Sequence, residues 1–154
     1  MMKGRYIAAM IVLFLSISIL PCRSAPYDAD SLYKAILKGN DYLVKQIITM
    51  YPSLVNAKYA GQSPLHLAAE KGTKKMVRDL LAKGALINER DYEGLTPLHC
   101  AARAGNTDIV EFLITKGADL NAMDNSNKTP LRYAMDAGKK DTEKLLRKYK
   151  ALEE

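Results

Sequence analysis

Three near-copies of one phrase recur every 33 residues: Ser-Pro-Leu-His-Leu-Ala-Ala at 63–69, Thr-Pro-Leu-His-Cys-Ala-Ala at 96–102 and Thr-Pro-Leu-Arg-Tyr-Ala-Met at 129–135. A repeat at this period points to a stack of small helical units rather than one globular core around a cleft. Each unit is too small to bury its apolar face alone and does so against its neighbours. The middle copy shows the logic of a unit. Thr96 is suited to cap a helix, and Pro97 takes the first helical position, where its missing N–H does no harm. Leu98, Ala101 and Ala102 form a packing side, and Gly105 is expected to end the helix in a left-handed conformation. After a turn at Asn106 to Asp108, the apolar residues Ile109, Val110, Leu113 and Ile114 mark a second, amphipathic helix. Gly117 ends that helix, and an extended finger with a turn at its tip follows, up to Asn127.

The preceding unit copies this layout. Gly72 matches Gly105, Met76, Val77, Leu80 and Leu81 match the four apolar positions, and Gly84 matches Gly117. Phrase, period and internal spacing together resemble the ankyrin-repeat family, over about residues 28 to 150. The resemblance implies an all-α fold, a solenoid of stacked helix–turn–helix units carrying β-turn fingers. The expected boundaries are an N-terminal capping repeat at 28–60, a second repeat at 61–93, a third at 94–127 and a C-terminal capping repeat at 128–154. The whole repeat domain is placed at 25–154.

The outer units depart from the pattern as caps should. The first lacks the Thr-Pro-Leu-His phrase, with Asp30 and Tyr33 at the Thr and His positions and Tyr51-Pro52 where the others have Lys-Gly. The last has Glu143 and Arg147 in a stripe that is apolar elsewhere. They stand one helical turn apart and are placed to pair, so the stack ends there. Two fingers also differ. Asn127 stands where the others have Gly61 and Gly94, and Asn is the next best residue for a left-handed turn. The finger from Asn56 to Gly61 is one residue shorter than that from Asn88 to Gly94, so its tip must be shaped differently.

Residues 1–24 read as a secretory signal peptide. Lys3 and Arg5 precede an apolar run from Tyr6 to Leu20, which Pro21 ends. A membrane-spanning helix needs about 20 apolar residues, more than this run provides. Cleavage after Ser24 fits best. A retained anchor at 6–20 is the alternative, and Pro21 before Cys22 disfavours a lipoprotein signal. Removing 1–24 lowers the basic count from 23 to 20 against 17 acidic residues, so the formal charge falls from +6 to +3. The C-terminal Lys and Arg cluster is diluted by Asp141, Glu143, Glu153 and Glu154, so no nucleic-acid partner is expected. Export to a periplasm or beyond the cell is expected, with no stable membrane span once the signal is cleaved, and a monomer.

No constellation for catalysis, cofactor or metal stands out. His66 and His99 lie one period apart, on helices expected at about 8–10 Å spacing, whereas zinc–nitrogen bonds are about 2 Å. One ion cannot readily bridge both. The ankyrin resemblance makes these histidines structural ties between units. Cys100 occupies the slot of Leu67 one repeat earlier, which implies burial. No serine or cysteine sits in a nucleophile arrangement and no phosphate loop is present, so no enzyme is expected.

Function then falls to the exposed shape. The resemblance implies protein binding by the finger tips and the concave ends of the first helices. The residues mapped there are Tyr59, Glu70, Lys71, Arg90, Tyr92, Leu95, Arg103, Met123, Asn125 and Lys128. Tyr and Arg are frequent anchors at interfaces, which favours Tyr59, Tyr92, Arg90 and Arg103. The competing role for the two tyrosines is to cover neighbouring fingers.

Overall fold

The computed structural model describes residues 27–151, so the expected signal segment lies outside the described residues. Among the described residues, eight α-helices form four antiparallel pairs: α1 (Ala29–Leu37) with α2 (Asp41–Met50), α3 (Pro64–Lys71) with α4 (Lys74–Ala82), α5 (Pro97–Ala104) with α6 (Thr107–Thr115), and α7 (Pro130–Asp136) with α8 (Lys140–Lys148). A 3₁₀ turn at Pro52–Asn56 follows α2, at the place where the sequence carries Tyr51-Pro52. The starts are capped as the sequence dictates. Asp28 accepts from the Ser31 N–H at 2.8 Å, Asn40 from Leu43 at 3.0 Å and Thr73 from Met76 at 3.2 Å. Proline opens α3, α5 and α7.

The pairs stack in two rows. Helices α1, α3, α5 and α7 neighbour one another along an inner row, and α2, α4, α6 and α8 along an outer row. The core between the rows is continuous. Ala68, Ala69, Ala101 and Ala102 are fully buried, which lets the inner helices approach closely, and Val77, Leu80, Val110 and Leu113 fill the space under the outer ones. In α8, Thr142 and Leu146 stay buried while Arg147 Nε meets Glu143 Oε1 at 3.0 Å, so a stripe that is apolar in the preceding units is polar here.

One expected helix stop is different. Gly105 does adopt the left-handed conformation, at φ +80°. Gly72 does not; its φ is −88°. Glycine is required there for another reason. A Cβ would sit 2.7 Å from the Ala68 carbonyl oxygen, closer than real side-chain atoms come.

The units are tied by one repeated bond. His66 Nε2 lies 2.9 Å from the Leu95 carbonyl, and His99 Nε2 lies 3.0 Å from that of Lys128. The other ring nitrogen faces donors at its own helix start: Ser63 N–H at 3.2 Å for His66 and Thr96 N–H at 3.1 Å for His99. A backbone N–H needs an acceptor, so Nδ1 carries the lone pair and Nε2 the proton. The first unit has no histidine. Its Tyr33, at the same repeat position, donates its hydroxyl to the Gln62 carbonyl. Tyr33, His66 and His99 thus reach Gln62, Leu95 and Lys128, each 29 residues on. Arg132, last in the series, pairs with Asp136 at 3.1 Å instead.

Two outcomes follow from these ties. Tyr33→Phe keeps the ring but removes the donor to Gln62 and the acceptor for the Tyr59 N–H. It should lower unfolding free energy by about 1–2 kcal/mol in a denaturant titration; an unchanged midpoint would show that the first tie contributes nothing. Burial holds both histidines below the ordinary 6.5, against the opposing pull of their carbonyl partners. The neutral rings therefore contribute stability that is whole above about 6.5 and is lost as pH falls toward the folded values, because the unfolded chain takes up protons first. Melting temperature should drop between about pH 7.5 and about pH 5, before most carboxylates titrate. A flat profile in a His66→Gln, His99→Gln double variant would confirm the source, and a flat profile in the unaltered protein would refute it.

Candidate functional site

The ties fix where each finger lies, because the carbonyls they hold belong to residues just past the finger tips. Two of the tips share one design. In one, Asp91 Oδ1 accepts the N–H groups of Glu93 and Leu95, both at 2.9 Å. In the next, Asp124 Oδ1 accepts those of Ser126 and Lys128, both at 2.8 Å. Burial alone would raise the Asp124 acid, but the Lys128 N–H, the Tyr133 hydroxyl and the Ser126 N–H outweigh it and hold the carboxyl below its ordinary value. The short finger has no such aspartate. Tyr59 and Gln62 exchange two backbone hydrogen bonds, at 2.9 and 3.2 Å, around Ala60 and Gly61. Both central residues have positive φ, +50° and +83°, which suits a tight two-residue hairpin. Asn127 takes the left-handed position of its tip at φ +60°.

Neighbouring fingers are cross-linked by residues the sequence assigned to binding. The Arg90 guanidinium donates to the Met123 carbonyl. Asn125 donates its side-chain amide to the Tyr92 carbonyl and its backbone N–H to that of Glu93, both at 3.0 Å. Met123 itself is partly buried. The Lys128 ammonium pairs with Asp136 at 2.9 Å. Tyr59 packs its ring on Tyr33, centroids 5.1 Å apart.

Three of the ten assigned residues meet in one groove of about 230 Å³, lined by Tyr92, Leu95 and Arg103 together with Ala60, Gln62, Asp91 and Glu93. Tyr92 stands on its rim, 80% exposed, with its ring against Gly61; a Cβ on that glycine would fall 2.2 Å from the ring. Arg103 Nη2 sits 3.3 Å from Glu70 Oε2, and Lys71 Nζ 3.9 Å from the other Glu70 oxygen, so Glu70 and Lys71 adjoin the same corner.

Leu95 corrects the sequence assignment. It was placed among exposed finger residues, but it is only 1% exposed. Its N–H is held by Asp91 and its carbonyl by His66, so the backbone is turned into the stack and the side chain with it. It supports the groove from below and does not present a contact. Tyr133 was overlooked. It fills the slot of Leu67 and Cys100, but its hydroxyl reaches Asp124 Oδ2 at 2.7 Å. Its ring lies beside two cations, with Lys128 Nζ at 5.8 Å and the Arg103 guanidinium at 6.0 Å. The only signal was a hydroxyl-bearing residue in an otherwise apolar repeat slot.

Cys100 is fully buried, and burial pushes its thiol up to about 12, so it stays protonated and unreactive near neutrality. Among the described residues no three His, Cys, Asp or Glu side chains gather as metal ligands. No helix among them is long and apolar enough to cross a membrane.

A family model for ankyrin repeats, three copies long, matches residues 32–124 and again 87–153. No curated relative matches the chain. The match spans nearly all of the paired helices, the fingers and the ties between them, and the chain belongs to the ankyrin-repeat family.

Proposed function

We propose that this chain is an exported, non-enzymatic module that grips a partner protein with its concave face and finger tips. Ankyrin repeats generally mediate protein–protein interaction and are typically non-enzymatic. The observation that carries the assignment to this face is the groove between the first two fingers. There an aromatic ring is held mostly in solvent beside a guanidinium, above a fully packed floor. Large rigid rings and arginine are the side chains that most often dominate interface energetics. Asp91 is committed to its own turn, whereas Glu93 and Gln62 line the groove as further polar contacts.

Export rests on residues 1–24. A membrane-tethered scaffold that retains 6–20, or a secreted effector, is the second reading, favoured by the same apolar run.

Two experiments test these readings. Affinity capture from the native compartment should recover a partner with the unaltered protein and about tenfold less with Tyr92→Ala plus Arg103→Ala. Both side chains lie at the surface, so the double variant should melt within a few degrees of the parent. Equal recovery by a folded double variant would refute the assigned face. Mass analysis of the mature N-terminus should find Ala25 first; an intact Met1 would establish the anchored form.

A further inference from the structure

The two rows of helices differ sharply in charge. The outer segments 41–50, 74–83, 107–116 and 139–150 hold twelve Lys and Arg against six Asp and Glu. The rest of 27–151 holds eight against nine. The net positive charge of the folded part therefore lies on the outer row, on the side away from the finger-tip groove. Ten of the twelve cations are lysines. Lys45, Lys74, Lys83 and Lys116 join none of the ion pairs among the described residues.

Apolar side chains are set between these lysines. A groove of about 460 Å³ runs between α2 and α4, lined by Tyr42, Lys45, Gln46, Thr49, Met50 and Lys75. Tyr42 is 71% exposed and Met50 61%. One unit along, Phe112 is half-buried between α4 and α6, with Lys74 Nζ 5.7 Å and Lys116 Nζ 5.6 Å from its ring centre.

We infer that the outer helix row is a docking face for an anionic lipid surface. Lysine ammoniums are compact point charges suited to a diffuse layer of headgroups, whereas arginine forks favour bidentate phosphate contacts. Tyr42 and Met50 supply what a purely electrostatic site would lack: side chains that enter the boundary between headgroups and acyl chains. A nucleic acid would use the charge but has no use for exposed Met50 beside it. The six acidic residues on this row, Asp41, Asp79, Asp108, Glu111, Asp141 and Glu143, reduce its potential without reversing it, and Asp41 pairs with the groove's Lys75 at 3.8 Å. The face is separate from the concave groove, so it can hold the protein on a membrane while the other side binds.

The test is co-sedimentation of the mature protein with two sets of vesicles, one of phosphatidylcholine alone and one of equal parts phosphatidylcholine and phosphatidylserine. Binding should appear with the anionic vesicles only and weaken as salt is raised. Lys45→Glu, Lys74→Glu and Lys116→Glu together should weaken it by at least about tenfold. Tyr42→Ser with Met50→Ser, which leaves the charge unchanged, should weaken it several-fold. Circular dichroism and a melting curve establish that each variant is folded, and capture of the concave-face partner should be unaffected in both. Failure of the unaltered protein to sediment with either vesicle would overturn the proposal. So would lipid binding that ignores the Ser pair, or binding to a single-stranded oligonucleotide in place of the anionic vesicles. The Ser pair and the salt series keep the test decisive if the charge variant does not fold.

Discussion

Three backbone carbonyls, those of Gln62, Leu95 and Lys128, each sit just beyond a finger tip and each accept a hydrogen bond from a side chain of the preceding unit. These bonds set where each finger tip meets the stack. A finger is a short loop, and it is also bonded directly to the next, Lys58 to the Arg90 carbonyl, Arg90 to that of Met123, and Asn125 to those of Tyr92 and Glu93. Buried polar groups, however, are costly unless paired. Once the inner helix carries a buried ring nitrogen or hydroxyl, the next carbonyl must come to it. Placing the carbonyl places the tip, and the tip places Tyr92, Arg90 and Asn125. The groove is a by-product of satisfying the donors beneath it.

This explains which parts of the molecule were legible in its sequence. Helix starts and packing positions depend on local chemistry and repeat faithfully, so Thr96, Pro97 and the alanine pairs could be placed by inspection, and the left-handed Gly105 with them. The pairing of Glu143 with Arg147 was equally plain from their spacing. Leu95 was misplaced because its burial is set by two bonds, one of which comes from His66, 29 residues earlier. Gly72 misled for a related reason. Glycine at a helix end usually marks a left-handed turn, but here it marks the proximity of a carbonyl. Tyr33 could be recognised as the counterpart of histidine by position, yet that its hydroxyl performs the same task is visible only when Gln62 is beside it.

Candidate contact residues are harder to single out than fold residues because exposed positions carry two demands at once. Arg90 and Asn125 have the composition of contact residues, but their donors are used to join one finger to the next. Tyr92 shows both roles in one side chain. One edge of its ring rests on Gly61 and the remainder stands in solvent. The charge difference between the rows is hidden for another reason. Inner and outer helices alternate along the chain, so the lysines of one face are interleaved with the balanced charges of the other, and a linear inspection averages them.

The three donors are not chemically alike. Imidazoles change their protonation within the range that living compartments span, whereas burial pushes the Tyr33 phenol up to about 12, far outside it. Acid strong enough to protonate the buried rings therefore acts on the seams after the second and third units, whereas the first seam, held by a phenol, is indifferent to it. The array is thus acid-sensitive at the two seams that histidine closes and acid-tolerant at the N-terminal one.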